Sequence, residues 1–312
     1  MKPTLTVFTP AYNRAHTIER TYKSLCHQTS MDFKWIIVDD GSTDNTKNLV
    51  LSWLHNDNSF TIEYYQKNNG GMHSAHNEAY KHIDSELAVC IDSDDWMPDN
   101  GVETIISRWR EYGEEKYAGM IGLDIFEDGY VIGTCFPKGL KACKTYELGR
   151  KYGVICDKKY VYRTEVIKKY LPYPEYEGEK YGEVNWLYQK IDKDYDMLCF
   201  NDIFCIVEYQ DDGLSVNVYN QHQQSPRTRM YECNEQIIDI PYFKEKIKRA
   251  IQYVACAIWV KDSKFIAKSH NKVLIFCAIP LGIAYCLYLR NIKKRNLNLN
   301  SVKFYLWKDI NN

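Results

Sequence analysis

The chain has 312 residues, 45% of them hydrophobic, with a formal net charge of −1. That length and apolar content suit one large domain or two modest ones with a real core, and argue against wholesale disorder. Charge balance argues against a general nucleic-acid binder, which carries a basic excess.

The first hundred residues alternate short apolar runs with amphipathic stretches. LTVFTP (5–10) reads as a strand closed by proline, and 15–29 as a helix with Ile18, Tyr22 and Leu25 on one face. FKWIIVDDGS is a second strand running into Asp39, Asp40 and Gly41, and Ser42–Asn45 offers capping chemistry for a helix over 46–55. FTIEYYQ is a third strand that ends in NNGG, followed by the helix MHSAHNEAYKHI. ELAVCID is a fourth strand that ends in three aspartates, and PDNGVETIISRWREY is a fourth helix.

This βαβαβαβα order predicts an α/β fold: a mostly parallel sheet with helices on both faces. Ligands of such sheets bind beyond the carboxyl ends of the strands. Those ends read TPAYNR, VDDGSTD, NNGG and DSDD, so four polar segments converge on one edge. From 113 to 212 the pattern is less regular. MIGLDIF, YVIGTCF, CDKKYVYR and DIFCIVEYQ read as strands, several antiparallel, and KYGEVNWLYQKI (180–191) as a helix. Beyond residue 213 the chain reads as mainly helical.

The converging edge suits a phosphate-bearing ligand. Gly41, Gly70 and Gly71 permit close approach of backbone, and helix starts offer free N–H groups. Neither a GxxxxGK[ST] loop nor GxGxxG occurs, which weighs against kinase and dinucleotide readings. Asp92, Asp94 and Asp95 offer hard oxygen ligands for Mg2+ or Mn2+, with diphosphate and water completing the shell. The same DSDD is also compatible with a solvated strand end. Asp39 and Asp40 sit one strand over, able to accept from a base or ribose. His73 and His76, three apart on a helix, lack a third ligand for zinc and read as packing residues or diphosphate contacts.

TVFTPAYNR, HQT, WIIVDDGSTDNT, NNGGMHSAHN and CIDSDDWMPD together resemble the inverting GT-A glycosyltransferases of family 2; the likeness thins through YPEYEGEKYGEVNWLYQ and VEYQDDGLS. The resemblance implies a GT-A nucleotide-binding sheet with a helical C-terminal extension. It implies a nucleotide pocket lined by Pro10, Ala11, Tyr12 and Asn13, and a base contact at Asp39 with Asp40 beside it. Gly70, Gly71 and Asn77 would lie near ribose and diphosphate. Asp92 would hold ribose and Asp94 the metal, with Ser93 between them and Asp95 orienting the loop. For the general base that inversion requires, the resemblance points to Glu183, where Val184 departs from the family's ED pair; Glu179 is the alternative. From pattern alone both glutamates read as an acidic first turn. Arg227, within a polar stretch over 217–229, is a candidate lid residue, and a plain solvated loop is the other reading.

Residues 1–212 are therefore expected to form the transferase domain, 1–112 its nucleotide-sugar half and 113–212 its acceptor half. Residues 213–312 form a helical C-terminal region. Within it, 273–289 carries no charge and has basic residues on both sides. At about 25 Å as a helix it falls short of a bilayer core of ~30 Å. It reads as a membrane-surface or re-entrant segment, with a true span or a buried core helix as alternatives. The expected activity is metal-dependent transfer, with Mn2+ or Mg2+, from a UDP-sugar to a hydroxyl of a glycan or polyprenyl-linked acceptor in bacterial surface polysaccharide synthesis. A non-catalytic nucleotide-sugar-binding partner and a sugar nucleotidyltransferase are the rivals. MKPTLTVFTP lacks the apolar core of a signal peptide, and the 11 cysteines show no CxxC pair. A cytoplasmic location at the inner face of the bacterial membrane, with reduced cysteines, is the expectation.

Overall fold

The structure is a computed structural model that describes residues 2–155, 157–210 and 223–291. The expected boundary at 212/213, the part of VEYQDDGLS beyond Gln210, residues 217–222 of the polar stretch and the basic residues 293–295 lie outside them.

The four expected βα units form. They are β1 (Leu5–Ala11), α1 (Ile18–Cys26), β2 (Phe33–Asp39), α2 (Thr46–Leu54), β3 (Thr61–Gln66), α3 (Met72–His82), β4 (Leu87–Cys90) and α4 (Gly101–Tyr112). Then come β5 (Tyr117–Ile125), β6 (Ala142–Cys143), α5 (Glu147–Tyr152), β7 (Lys158–Arg163), α6 (Thr164–Ile167), α7 (Asn185–Ile191) and β8 (Asp196–Ile206). Among the described residues four helices follow: α8 (Pro226–Asp239), α9 (Phe243–Trp259), α10 (Phe265–Lys268) and α11 (Lys272–Asn291).

One mixed sheet runs β3-β2-β1-β4-β7-β5-β8-β6. All seven residues of β2 are buried, as a central strand covered on both faces requires. Alternate residues divide between two cores. Leu5 and Val7 of β1 pack with Leu25, Val50, Trp53, Ile105 and Trp109 on one face. Phe8 packs with Ala75, Ala79 and Tyr80 of α3 and with Ile83 just past its end on the other, continuing to Trp186, Leu187 and Ile191 of α7. A third cluster joins α8, α9 and α11 through Cys233, Ile237, Tyr253, Val254, Ile275 and Ala278.

Register decides what reaches the edge. Ala11 pairs with Asp39 and Asp39 with Gln66 in parallel, so three strand exits end level. β7 is antiparallel to β4, with Val161 beside Val89, so it is the start of β7 that arrives at this edge. Strand β5 brings Asp124 there, with Asp124 opposite Cys205 of β8.

Two expected elements differ. YVIGTCF forms no strand; Val131 makes one bridge to Ile125, because Gly129 and Gly133 turn the backbone through positive φ. The helix expected over 180–191 starts at Asn185, since the segment before it is held by α8 as described below.

Candidate functional site

The strand exits surround a cavity of about 650 Å³, within the usual range for small-molecule sites. Pro10, Ala11, Tyr12, Arg14, Asp40, Gly71, Asp92, Ser93 and Asp94 line one side. Asp124, Asp157, Lys158, Tyr160, Val184, Asn185, Tyr188 and Tyr209 line the other.

Asp40 is almost fully buried and organises the NNGG loop. It accepts from Gly70 N at 2.9 Å, Gly71 N at 2.7 Å and Lys67 Nζ at 2.9 Å. Hydrogen bonds to a charged group are worth on the order of 1.5–3 kcal/mol each, so this carboxylate fixes the loop before any ligand arrives. Gly71 has φ +88° and a Cβ there would lie 1.7 Å from the Lys180 carbonyl oxygen. No side chain fits, and the NNGG loop closes directly on the segment leading to Glu183.

Asn13 stitches two strand exits together. Its Oδ1 accepts from Thr43 N at 2.8 Å, and its own N–H donates to Ser42 Oγ at 2.9 Å. It lies in the left-handed region at φ 54°, tolerable for Asn. Asp39 accepts from Ser42 N at 2.7 Å and from the Tyr64 hydroxyl at 2.5 Å. Asn13, Asp39 and Gly70 thus stand behind the cavity wall and shape it. Asn77, expected near ribose and diphosphate, is committed elsewhere: its Nδ2 donates to Tyr173 O and Glu175 Oε1, and its Oδ1 accepts from Tyr173 N. It anchors the 173–175 segment.

After β4 the chain turns tightly, Asp95 N donating to Asp92 O at 3.0 Å. Asp92 and Asp94 face the cavity. Burial, reinforced by the neighbouring Asp92 charge, pushes Asp94 up to about 6. Asp95 turns inward toward Lys159 Nζ at 3.5 Å and Glu208 N at 3.4 Å, so it orients the loop. Burial drives the Lys159 ammonium toward neutrality; the surrounding groups, Asp124, Asp95 and Asp92 among them, overcome this and hold it charged. Asp124 is buried, pushed up to about 6 by that burial against the pull of Lys159, and its Oδ1 has no hydrogen-bond partner among the described residues.

Hard carboxylate oxygens two residues apart, charge-strained and facing a cavity, fit Mn2+ or Mg2+. Among the described residues no cluster of three or more His, Cys, Asp or Glu is arranged to hold a metal alone. A ligand's own oxygens would complete the shell. His76 sits edge-on to Phe8 and Tyr173, and burial drives it down to about 4; both ring nitrogens of His73 are buried and have no hydrogen-bond partner among the described residues. Neither geometry makes a zinc pair.

Both candidate bases are engaged by α8. Glu179 accepts from Arg227 N, Thr228 N and Thr228 Oγ1 at 2.7–2.9 Å, capping the helix start. Arg227 also donates to Glu177 O, so it clasps this turn. Glu183 pairs with Arg229 Nη1 at 2.7 Å, and its N–H donates to Glu232 Oε1 at 2.7 Å. Its neighbours Val184 and Asn185 form the cavity wall.

Sequence reasoning missed Lys159, Asp124 and Asp157. KKYVYR shows alternation, but nothing local says that antiparallel pairing puts its first residues under DSDD.

The family described as glycosyl transferase family 2 matches residues 6–171. Chondroitin synthase of Pasteurella multocida (strain Pm70) is 35% identical over 107 residues, 34% of this chain and 11% of that protein's length. The chain thus covers a small part of that relative. Among solved structures, S. aureus TarS 1–349 in complex with UDP-GlcNAc superposes with TM-score 0.58 at 18% identity, covering 90% of this chain and 80% of that one. Mannosyltransferase PcManGT from Pyrobaculum calidifontis, in complex with GDP-Man and Mn2+, gives 0.51 at 15% identity, covering 99% and 81%. At these identities the likeness is one of fold.

Proposed function

The chain belongs to glycosyl transferase family 2, and from that premise we propose metal-dependent, inverting transfer of a sugar from a UDP-sugar to a hydroxyl of a glycan or lipid-linked glycan in bacterial surface polysaccharide synthesis. The observation that carries this reading is the meeting of Asp92 and Asp94 with the Pro10–Tyr12 and Gly71 exits in one cavity of about 650 Å³. The UDP-GlcNAc and Mn2+ named with the two fold relatives support the choice of donor and cation.

Asp94 holds the cation, with Asp92 beside it. When bound, that cation supplies Lewis-acid neutralisation of the departing diphosphate. Asp40 keeps the NNGG backbone open to the donor, and the Lys159–Asp95 pair keeps the DSDD turn in place. Tyr160, Tyr188 and Asn185 form the wall that an acceptor sugar meets. Glu183 takes the proton from the attacking hydroxyl, leaving its Arg229 partner to do so. On this reading the enzyme works in the cytoplasm at the inner face of the membrane.

One observation favours a non-catalytic, nucleotide-sugar-binding role instead: Val184 lines the cavity while the Glu183 carboxylate is bound to Arg229. Calorimetric titration of UDP and GDP with and without Mn2+, on wild type and Asp94→Asn, tests the donor half. UDP binding that needs Mn2+ and falls at least about tenfold in Asp94→Asn is the expected result. Metal-independent binding that Asp94→Asn leaves intact would sink the metal assignment. Turnover of a UDP-sugar by the purified chain separates enzyme from binding partner.

A further inference from the structure

Helix α11 is apolar on two opposite faces, and one of them is packed. Ile275, Ala278, Gly282 and Cys286 are buried. A Cβ on Gly282 would come 2.4 Å from Val254 Cγ1 of α9, so glycine lets the two helices approach this closely. On the other face Val273, Phe276, Leu281, Ile283, Leu287 and Tyr288 are 46–75% exposed. At ~3.6 residues per turn these six fall within an arc of roughly 160° opposite the packed stripe. Single exposed apolar side chains are ordinary; a continuous stripe of them marks a surface that something covers.

Charge identifies the cover. Between residues 261 and 295 the sequence carries eight Lys and Arg and one acidic residue, Asp262. Asp262 is already paired with Lys268 at 2.6 Å. Helix α11 itself has Lys272 at its start, Arg290 at its end and no acid between. An apolar stripe about 24 Å long with cations at both ends complements acyl chains beneath anionic headgroups.

We propose that α11 lies flat in an anionic membrane surface, its Val273–Tyr288 stripe among the acyl chains and its flanking lysines and arginines at the headgroup phosphates. By length and hydropathy the helix is able to cross a bilayer. Packing against α9 opposes this, because α9 carries Lys244, Lys246, Lys248 and Arg249, which a crossing would draw toward hydrocarbon. The chain of contacts continues from α9 to α8, whose Arg229 holds Glu183. A docked α11 therefore fixes the cavity's Glu183 side relative to the lipid surface. This inference stands apart from the assignment of donor and metal.

The test is co-sedimentation of the full chain with phosphatidylcholine vesicles and with vesicles containing phosphatidylglycerol. A Phe276→Glu/Leu287→Glu variant serves as comparison, since both side chains point away from α9. The wild type is expected to sediment with phosphatidylglycerol vesicles and to be released by alkaline carbonate, while the variant's bound fraction drops by about tenfold or more. Circular dichroism and UDP binding of the variant should match wild type, so loss of docking is distinguished from loss of fold. Three results would overturn the proposal: wild type left in the supernatant, a variant that binds equally well, or release by detergent but not carbonate, which marks a span. A lipid-free dimer that the two substitutions dissociate would instead assign the stripe to a second copy.

Discussion

Glu183 is one peptide bond from the cavity wall, and its carboxylate is held by Arg229 at 2.7 Å. That ion pair commits the carboxylate to Arg229, and the side chain itself is not among those lining the cavity. If Glu183 is the base, Glu183→Gln should lower kcat by roughly 10²–10⁴-fold, the usual scale for a general base. KM and UDP affinity should stay within a few-fold, because the donor wall does not include this side chain. Activity retained within a few-fold in single-turnover assays would remove Glu183 from the mechanism. At this scale the sequence was informative where chemistry sat on one contiguous segment. That Asp92 and Asp94 reach the cavity could be read from DSDD, because a strand end fixes where adjacent residues go. The duty of Asn77 could not be read, since its partners Tyr173 and Glu175 lie almost a hundred residues away. Nor could Lys159 be found, because its surroundings depend on Asp95 arriving from the turn after β4 and Asp124 from β5.

At the scale of elements, α8 reaches the site through one buried cation. Arg229 contacts Glu183 and Glu232, and donates to Gln252 Oε1 of α9 at 3.0 Å. Burial raises Glu232 to about 8 against the pull of Arg229, so this carboxyl is largely protonated near neutral pH and losing Arg229 pushes it further that way. Arg229→Met takes the cation from the Glu183 and Glu232 carboxyls and should destabilise the protein by about 3 kcal/mol or more. Adding Glu232→Leu should recover part of that loss in urea denaturation. A single variant as stable as wild type would mean the cluster is not what joins α8 to the 177–184 segment. The same cluster explains why the helix expected from Lys180 begins at Asn185: Glu179 and Glu183 are drawn out to cap and pair with α8, and the turn between them cannot also be helical. The four N-terminal βα units were legible because each buries its own periodic face. The placement of β7 between β4 and β5 was not, since it depends on pairing β4 with residues 72–76 positions further along the chain.

For the whole molecule, acid stability should be set in part by His76, which lies where α3 crosses the central strands. Its neighbours are Phe8 of β1, Tyr173, Cys90 of β4, the Asp92 carboxylate and His73. Burial lowers it from 6.5 to about 4, with Asp92 opposing and His73 assisting. In the unfolded chain His76 takes up a proton near its ordinary pKa, and in the folded chain only near 4. The unfolded state thus binds more protons between these values, so stability is fully present above about 6.5 and is lost as pH falls toward 4. A shift of this size corresponds to roughly 3 kcal/mol, with no further loss below the folded value. Asp124 and Asp192, both raised to about 6 by burial, act in the opposite sense over the same range, since protonation relieves their burial. Total stability against pH therefore mixes the two, and a difference between variants isolates the histidine. His76→Phe keeps a ring between Phe8 and Tyr173 but cannot titrate. Its urea stability should fall less than wild type's between pH 7 and pH 4.5, by about 2–3 kcal/mol. Equal losses in both proteins would mean that the neutral histidine is not what acid attacks, and that the carboxylates around Lys159 and Arg229 govern the response instead.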